Sequence, residues 1–217
     1  MHIRPAIPSD ISSTASISTL CFWNDELYVY TNPWRAQFPD HFRALFLRRH
    51  RLRLVTPGFV FLVAVTDEGD RGHEGLERTL LAAQESYLSL LRADRSLHPA
   101  RRAHFLAEAK SDFASVPELW KLQNLAVHPD FQRRGVASSL LDWGKRQAER
   151  EGCPIGLESS ELARPLYLRN GFRTFGYMLI RDFPIKDVPI FLWEPRGEEG
   201  RWGMKGDVGG VGARCEG

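Results

Sequence analysis

The sequence predicts an α+β fold, in which a mixed α/β sheet carries helices on both of its faces. Short apolar runs of strand length alternate along the chain with longer amphipathic stretches that begin at helix-capping residues. The 217 residues are 43% hydrophobic and 26% charged, which suits a globular domain large enough to form its own core. Near residue 130, a polar turn separates an apolar strand from a helix rich in small residues, and such strand–turn–helix units belong to sheets covered by helices.

In the first half of the chain, each predicted element follows from a local pattern. Strands are apolar or β-branched runs, helices begin at Ser, Asp or Pro, and clusters of Pro, Asn and Gly mark the loops. The run 78–91 fits a strand or a helix, and a strand with a bulge is favoured because it follows a turn after a strong strand. In chain order, the predicted elements are a strand at 2–7, a helix from Ser9 or Asp10 to about Leu20, a loop with a short helix at 22–39, a helix at 40–55 capped by Asp40, a buried strand at 58–67, a turn at 68–75 and the strand at 78–91.

In the second half, the same rules give three helices and four strands. Pro99 occupies a favourable first-turn position of a helix. Asn170 and Gly171 together are a good signal for the end of another helix. In chain order, the predicted elements are a helix at 98–114, a strand at 119–127, a turn followed by a helix with Val136, Ala137, Leu140, Leu141, Gly144 and Ala148 on one face, a strand at 152–160, a short helix within 161–172, and strands at 172–183 and 189–195.

The folded domain is expected to span residues 1–195, and the glycine-rich residues 196–217 are predicted to form a disordered tail. A net charge of +2 provides no basic field for nucleic acid. The N-terminus lacks the apolar run of a signal peptide, and no run of apolar residues is long enough to predict a membrane span. Three scattered cysteines suggest neither a disulfide framework nor a zinc site. We therefore expect a cytoplasmic protein without a metal.

The turn Gln132–Gly135 has the composition of a phosphate site. A tight turn into a helix leaves the first helical N–H groups without partners and with partial positive charge, and such an end binds phosphate readily. Gly135 has no Cβ to obstruct a close approach, while Arg133 and Arg134 add charge in a geometry that suits phosphate. The Lys–Ser/Thr pair of a P-loop is missing, and no cluster of Mg²⁺ ligands is evident. The expected ligand carries a pyrophosphate and binds without a metal.

The segment LAVHPDFQRRGVASSLL resembles the acetyl-CoA pyrophosphate loop of the GNAT superfamily of N-acetyltransferases. Gln132, Gly135 and Ala137 match the family pattern Gln/Arg-x-x-Gly-x-Gly/Ala. A second motif that is typical of the family follows as ARPLYLRNGF, at Ala163–Phe172, in the expected order and at the expected spacing. The resemblance covers roughly residues 119–177, and its combination with LESS and IFLWEP is similar to a fungal-type subfamily.

The resemblance implies a central, mostly antiparallel sheet that splays between residues 122–127 and 155–159, with acetyl-CoA as co-substrate in the cleft. It implies direct transfer to an amine acceptor in a ternary complex, with the Val127 N–H stabilising the oxyanion and Tyr167 protonating the departing thiolate. The residues that it implies for binding acetyl-CoA are Leu125, Ala126, Val127, Gln132, Arg133, Arg134, Gly135, Val136, Ala137, Ser138, Ser160 and Tyr167.

Two positions depart from the family pattern. Many members carry Asn where this chain has Ser160, a shorter hydroxyl, so the contact with the pantetheine is expected to be weaker or to run through water. A glutamate often serves as general base on the strand that precedes the loop, but residues 121–124 contain no carboxylate. The base is therefore open between Glu158, the nearest carboxylate by motif position, and a chain of waters.

Several alternatives stay open at this point. The aromatic segment 22–38 favours a closed pocket for a small amine, yet it is equally well explained as core and lid packing. The chain could instead be a non-catalytic CoA-binding module, or an acetyltransferase for lysines or N-termini of proteins and peptides. Tyr167 could simply fill the core, the basic run 48–53 is interpreted as a solvated helix face, and His128 as a structural residue. A monomer or homodimer is expected, with neither a nucleic acid nor a membrane as partner.

Overall fold

The computed structural model describes residues 1–65, 94–116, 118–180 and 187–203. The chain divides into two compact units, each made of two segments. The first unit contains Met1–Arg102 and Leu125–Trp143, and the second contains Ala103–Asn124 and Gly144–Gly217. None of the helices in the described ranges combines the length and the apolar composition that a bilayer crossing needs.

The described residues form six strands and six α-helices, and two short 3₁₀ turns, Pro8–Asp10 and Pro129–Phe131, precede helices. In chain order the elements are β1 (His2–Pro5), α1 (Ile11–Cys21), α2 (Glu26–Thr31), α3 (Pro39–Val55), β2 (Leu62–Val65), α4 (Pro99–Ser111), β3 (Trp120–Lys121), α5 (Val136–Glu151), β4 (Ile155–Glu158), α6 (Arg164–Arg169), β5 (Arg173–Leu179) and β6 (Asp187–Trp193).

The first unit pairs β1 with β2 in antiparallel register and packs α1 against α3. His2 lies opposite Val65 and Pro5 opposite Leu62 across the two strands. Apolar side chains of α1, α2 and α3 form the core, where the rings of Phe42 and Phe46 meet edge to face at 5.2 Å. The buried members of this core cluster are Ala15, Tyr28, Phe42, Leu45 and Phe46. Burial of these aromatic rings is the main source of stability for the helical pair.

His50 links α3 to α1 in the interior of the first unit. Its ring nitrogens lie 3.1 Å from the Thr14 hydroxyl and 3.3 Å from the Ser18 hydroxyl, and the residue is only 3% exposed. Burial, together with the nearby guanidinium groups of Arg53 and Arg49, lowers the pKa of His50 to about 4. The imidazole is therefore neutral at pH 7 and acts as a hydrogen-bonding link between two helices.

The second unit is built on a four-stranded sheet with the order β3-β4-β6-β5. The strands β3 and β4 are parallel, whereas β4 pairs with β6 and β6 with β5 in antiparallel register. The large side chains of β4, β5 and β6 fill the core, and Phe175 stacks on Phe113 at 5.8 Å. Gly156 is required in β4, because a Cβ at this position would lie 2.4 Å from the Phe113 ring. This mixed sheet confirms the predicted α+β class.

Most predicted elements are present, but four details differ. The helix α3 begins one residue earlier than predicted, with Phe38 as N-cap and Pro39 in the first turn, so the prediction of Asp40 as N-cap was wrong. Asp10 does precede α1, but its carboxylate binds Arg4 at 2.7 Å and the Ile7 N–H at 2.8 Å rather than the amides of the helix.

Two predicted strands are shorter than expected. The strand at 58–67 begins only at Leu62, because Phe59 closes a turn onto Thr56 and is 42% exposed. The strand predicted at 119–127 is regular only at Trp120–Lys121. The turn predicted at 68–75 and the strand at 78–91 lie outside the described residues.

Part of the predicted tail makes contacts with the second unit. Glu194 forms an ion pair with Arg173 at 2.7 Å and accepts the Gly200 N–H at 3.1 Å, and Arg173 also donates to the carbonyl of Trp202. The structure describes the chain as far as Gly203, and residues 204–217 lie outside the described part. The domain boundary at residue 195 stays a prediction.

Candidate active site

The segment that follows β3 belongs at first to the second unit and then to the first. It leads to the turn Gln132–Gly135, which is called the phosphate turn below. The parallel pairing of β3 ends when the Leu122 N–H donates to the Gly156 carbonyl at 3.0 Å. Further along, His128 caps the 3₁₀ turn Pro129–Phe131 by accepting the Asp130 N–H on its Nδ1 at 3.3 Å. This contact agrees with the structural role predicted for His128.

The turn itself has the backbone geometry of an anion site. Among the described residues other than glycine, only Arg133 has a positive φ, at +58°, and Gly135 follows with a φ of +81°. Left-handed residues within a tight turn point successive N–H groups toward one concave side, where an anion binds. A Cβ at Gly135 would meet nothing within 4 Å, so the space beside the turn is open.

The first turn of α5 extends this anion site. The first helical hydrogen bond runs from the Ser139 N–H to the Gly135 carbonyl at 2.9 Å. The N–H groups of Val136 and Ala137 therefore have no acceptor within the helix. Together with the positive end of the helix dipole, they favour a phosphate group at this position.

Two side chains hold the carbonyl of Val127 at the base of the turn. The side-chain amide of Gln132 donates to this oxygen at 3.0 Å, and the thiol of Cys21 donates to it at 3.2 Å. Burial raises the pKa of the Cys21 thiol, although its hydrogen bond to Val127 acts in the opposite direction, so the thiol stays protonated and can donate. Gln132 was predicted to contact the cofactor, and the structure shows that its Nε2 braces the turn.

The two arginines of the turn differ in their surroundings. Arg133 and Arg134 are both exposed. The guanidinium of Arg134 lies over the ring of Phe131, with its central carbon 5.5 Å from the ring centroid, and Phe131 is itself 43% exposed. This stacking places Arg134 on the surface of the 3₁₀ turn and keeps positive charge beside the phosphate turn.

Tyr167 lies in α6 of the second unit and is only 6% exposed. Its ring packs at 5.6 Å from Phe172 and at 5.8 Å from Phe191. The helix ends at Arg169 with Asn170 as its C-cap, and Gly171 follows with a φ of +80°, in agreement with the predicted end signal. These ring contacts fix the position of the phenol. They are compatible with a role as the acid that protonates the thiolate and with a role as a core aromatic.

Glu158, at the end of β4, is paired with a lysine in a largely buried setting. Its side chain is 13% exposed, and its Oε1 lies 2.5 Å from the Nζ of Lys121, an ion pair that is not aligned as a hydrogen bond. Burial raises the pKa of Glu158, the ion pair with Lys121 partly offsets this effect, and the buried Asp112 raises it further. A carboxylate whose pKa is raised in this way is a stronger base than an exposed glutamate.

Ser160 anchors the start of α6 through its backbone. Its carbonyl accepts the Ser159 hydroxyl at 2.8 Å and the N–H groups of Ala163 and Arg164 at 3.1 and 3.2 Å. Its own hydroxyl makes no hydrogen bond to the part of the chain that the structure describes. The hydroxyl therefore remains available for a ligand, whereas the carbonyl of Ser160 already accepts hydrogen bonds within the chain.

For part of the aromatic segment 22–38, the structure distinguishes core packing from a position in an acceptor pocket. Tyr28 and Tyr30 are each 5% exposed, and Tyr28 belongs to the core of the first unit, so the core interpretation holds for them. Phe22 and Trp23 are only half-buried, and Trp34 is 39% exposed and stacks on a histidine ring. These three rings remain candidates for contact with an acceptor.

The basic run 48–53 is not a solvated helix face, and that prediction was wrong. His50 is buried, and Arg48, Arg49 and Arg53 are half-buried. Burial, with the neighbouring Arg49 as a second cause, lowers the pKa of Arg53 to about 10. The error arose because the polar residues of α3 were assigned to solvent, whereas the helix buries part of its basic face as well as its apolar face.

Comparisons with known proteins agree with this geometry. Residues 98–174 match the family model of the acetyltransferase (GNAT) domain. A protein from Stachybotrys chartarum named as an acetyltransferase is 26% identical over 200 residues, which cover 83% of this chain and 84% of that protein.

Solved structures of similar fold extend over most of the chain. A histone acetyltransferase HPA2 and related acetyltransferase from Corynebacterium glutamicum has a TM-score of 0.56 at 23% identity, covering 89% of this chain and 94% of that one. An N-acetyltransferase from Staphylococcus aureus has a TM-score of 0.54 at 15% identity, covering 89% of this chain and 100% of that one. At these identities, the likeness establishes the fold.

Both predicted motifs, the phosphate turn and the segment Ala163–Phe172, lie inside the residues that match the family model. The turn leads into helical N–H groups without acceptors in the helix, as its sequence predicted, and the structure adds the left-handed conformation of Arg133 and Gly135. The matched region, residues 98–174, is an acetyltransferase (GNAT) domain, and the protein is an acyltransferase.

Proposed function

We propose that the protein transfers an acetyl group from acetyl-CoA to the amine of a small molecule. The observation that carries this proposal is the turn at Arg133–Gly135, whose left-handed residues and adjoining helix start suit a pyrophosphate. The backbone of Arg133–Ser138 would hold the pyrophosphate, while Leu125, Ala126 and Val127 would pair with the pantetheine and Ser160 would contribute its hydroxyl.

The proposed reaction is a direct transfer. The neutral amine attacks the thioester carbonyl, a C–N bond forms, and the carbonyl oxygen becomes an oxyanion that the Val127 N–H stabilises. The C–S bond then breaks and Tyr167 gives its proton to the CoA thiolate. The proton lost by the amine passes to Glu158, directly or through water. Much of the rate would come from holding both substrates in line.

Glu158 supports its role as the base through its environment. Burial raises the pKa of this carboxyl, and its ion pair with Lys121 offsets part of the rise. A base whose pKa lies closer to neutrality than that of an exposed glutamate accepts a proton more effectively at pH 7. Lys121 would also stabilise the negative charge of Glu158 between turnovers.

The experiment that tests the proposal is an acceptor screen. Purified protein is mixed with acetyl-CoA and a panel of small amines, and the release of CoA thiol is followed. Parallel reactions contain peptides with free lysines or N-termini. The proposal predicts turnover with at least one small amine and slower turnover with the peptides. Turnover with peptides alone would assign the protein-directed alternative, and a cytoplasmic location stays a prediction in either case.

A further inference from the structure

The first unit brings together several arginines from α3 and from the first turn of α4. The Nη1 of Arg49 donates to the Tyr28 hydroxyl at 2.6 Å, and its guanidinium carbon lies 5.5 Å from the centroid of the Tyr28 ring. Arg102 interacts electrostatically with Arg48, Arg49 and Tyr28. The cluster of Arg48, Arg49 and Arg102 is called the arginine cluster below.

The positive charge of the arginine cluster is only partly balanced. Burial lowers the pKa of Arg102, and repulsion by Arg49 and Arg48 acts in the same direction. Among the described groups that act on Arg102, the one acid is Asp94. The Oδ1 of Asp94 already accepts the N–H and the hydroxyl of Ser96, at 3.0 and 2.7 Å. Within the described residues, three cations therefore face one carboxylate, whose Oδ1 is engaged by Ser96 and whose Oδ2 is buried without a hydrogen-bond partner.

Arg102 also has no hydrogen-bond acceptor for its side chain among the described residues. Within the described residues, no oxygen accepts from its guanidinium, although the side chain is half-buried. A guanidinium presents five donors in a planar fork that matches carboxylate and phosphate. Leaving such a group partly desolvated without an acceptor is costly, so a bound anion would recover this energy.

The arginine cluster connects to the proposed acetyl site through a short series of contacts. The Cys21 thiol donates to the Val127 carbonyl, and Phe22 is the next residue in the chain. The Phe22 ring packs at 5.2 Å from Tyr28, whose hydroxyl binds Arg49. All of these residues belong to the first unit. An acceptor whose amine lies near Val127 would thus pass the half-buried ring of Phe22, and the arginines lie beyond the buried ring of Tyr28.

We propose that Arg49 and Arg102 bind an acidic group of the acceptor, a carboxylate or a phosphate, so that the preferred substrate is an amine that also carries an acid. This inference rests on the proposed function, because it assigns the acceptor of that same reaction. The fork of Arg102 binds the acidic group directly, and Arg49 contributes the donors that Tyr28 does not use.

The first test measures anion binding without turnover. Melting temperatures are recorded in saturating CoA, which occupies the phosphate turn, with added inorganic phosphate or glutarate against chloride of equal ionic strength. The variants are Arg102→Gln and, as a matched control on α3, Arg43→Gln, whose guanidinium binds the hydroxyls of Ser12 and Ser16 at 3.2 and 3.4 Å.

We expect the added anion to raise the melting temperature only where Arg102 is present. At least one of the two anions raises the melting temperature of the wild type and of Arg43→Gln, but not that of Arg102→Gln. In chloride, Arg102→Gln is at least as stable as the wild type, because a repelled cation has been removed. Equal shifts in wild type and Arg102→Gln, or no shift in the wild type, would overturn the proposal. The two anions distinguish carboxylate from phosphate.

The second test compares acceptors that differ only in the acid. Butylamine is paired with 4-aminobutanoate, and ethanolamine with its phosphate ester. The wild type should prefer one of the acidic members in kcat/KM, Arg102→Gln should reduce that preference by roughly tenfold to a hundredfold, and Arg43→Gln should keep it. Acetylation without an acidic preference would overturn the inference and leave the proposed function intact.

Failure of the proposed function would give a different pattern. In that case no amine of any kind would be acetylated, and the melting experiment would still report whether the arginine cluster binds an anion. Weaker binding of CoA itself to Arg102→Gln would place a phosphate of CoA at the arginine cluster and contradict the assignment to the acceptor.

Discussion

The carbonyl of Val127 is held by two side chains from distant parts of the sequence. Gln132 reaches it from within the turn and Cys21 from the end of α1, 106 residues away along the chain. Two donors on one oxygen fix the orientation of its peptide group, which joins the proposed oxyanion position to the phosphate turn. At the scale of the residue, these two contacts hold the backbone of the proposed site in place before a substrate binds.

Tyr167 offers the clearest test of a single catalytic group. Tyr167→Phe removes one oxygen and keeps the ring that packs on Phe172 and Phe191, so folding should be preserved. If the phenol protonates the thiolate, kcat should fall by about 10²–10⁴-fold, the usual contribution of general-acid catalysis, while the affinity for acetyl-CoA changes little. Steady-state kinetics and calorimetric titration measure the two effects. Normal turnover of the variant would leave Tyr167 as a core aromatic.

The pH dependence of activity tests Glu158 as the base. A base works only when deprotonated, so kcat/KM should fall as the pH drops through the pKa of Glu158, which burial raises above its usual value. Lys121→Met removes the contact that lowers this pKa, so the acidic limb of the profile should move to higher pH. Lys145→Met, which removes a lysine that donates to the Asn170 carbonyl, is the control and should leave the limb in place. An unmoved limb in Lys121→Met would favour a water chain as the base.

The helix α5 organises the site at the scale of the element. Its first residues belong to the first unit and its last residues to the second. Glycines in the left-handed region flank both ends, with φ of +81° at Gly135 and +66° at Gly152, and neither has an atom within 4 Å of the position of a Cβ. The helix start adjoins the proposed phosphate site, whereas no such role is proposed for the C-terminal glycine, so the two ends can be compared directly.

The C-terminal segment gives a second prediction at this scale. Deletion of residues 204–217 should leave the melting temperature unchanged, because the sequence of that part has little apolar content to bury. Deletion of residues 196–217 also removes the hydrogen bonds of Glu194 and Arg173 to Gly200 and Trp202. We expect the free energy of unfolding to fall by about 1–2 kcal/mol, which lowers the melting temperature by roughly 2–8 °C.

Thermal unfolding of the two truncated proteins beside the full chain separates these cases. Equal stability of both truncations would show that the contacts of residues 196–203 do not contribute. A large loss on removing residues 204–217 alone would show that those residues take part in the folded structure.

At the scale of the whole molecule, local patterns were predictable and long-range contacts were not. Pro99 at the start of α4 and Gly171 after α6 mark helix ends because of their local backbone preferences alone. Gly135 marks the turn before α5 in the same way. The contact of Cys21 with Val127 has no sequence signal, because it depends on how α1 packs. The burial of Arg49 beside Tyr28 was missed for the same reason, since charge patterns alone place arginines in solvent.

The central claim is that the turn at Gly135 binds the pyrophosphate of acetyl-CoA, and one titration tests it directly. Calorimetric titration of acetyl-CoA is carried out with wild type, Gly135→Ala and Gly152→Ala. Both substitutions place a Cβ in the left-handed region at an end of α5, so both should cost about 1–2 kcal/mol of stability. We expect Gly135→Ala to bind acetyl-CoA at least about tenfold more weakly, a difference of about 1.4 kcal/mol, and Gly152→Ala to bind like the wild type. Equal affinity of the two variants, or no binding of acetyl-CoA to the wild type, would contradict it.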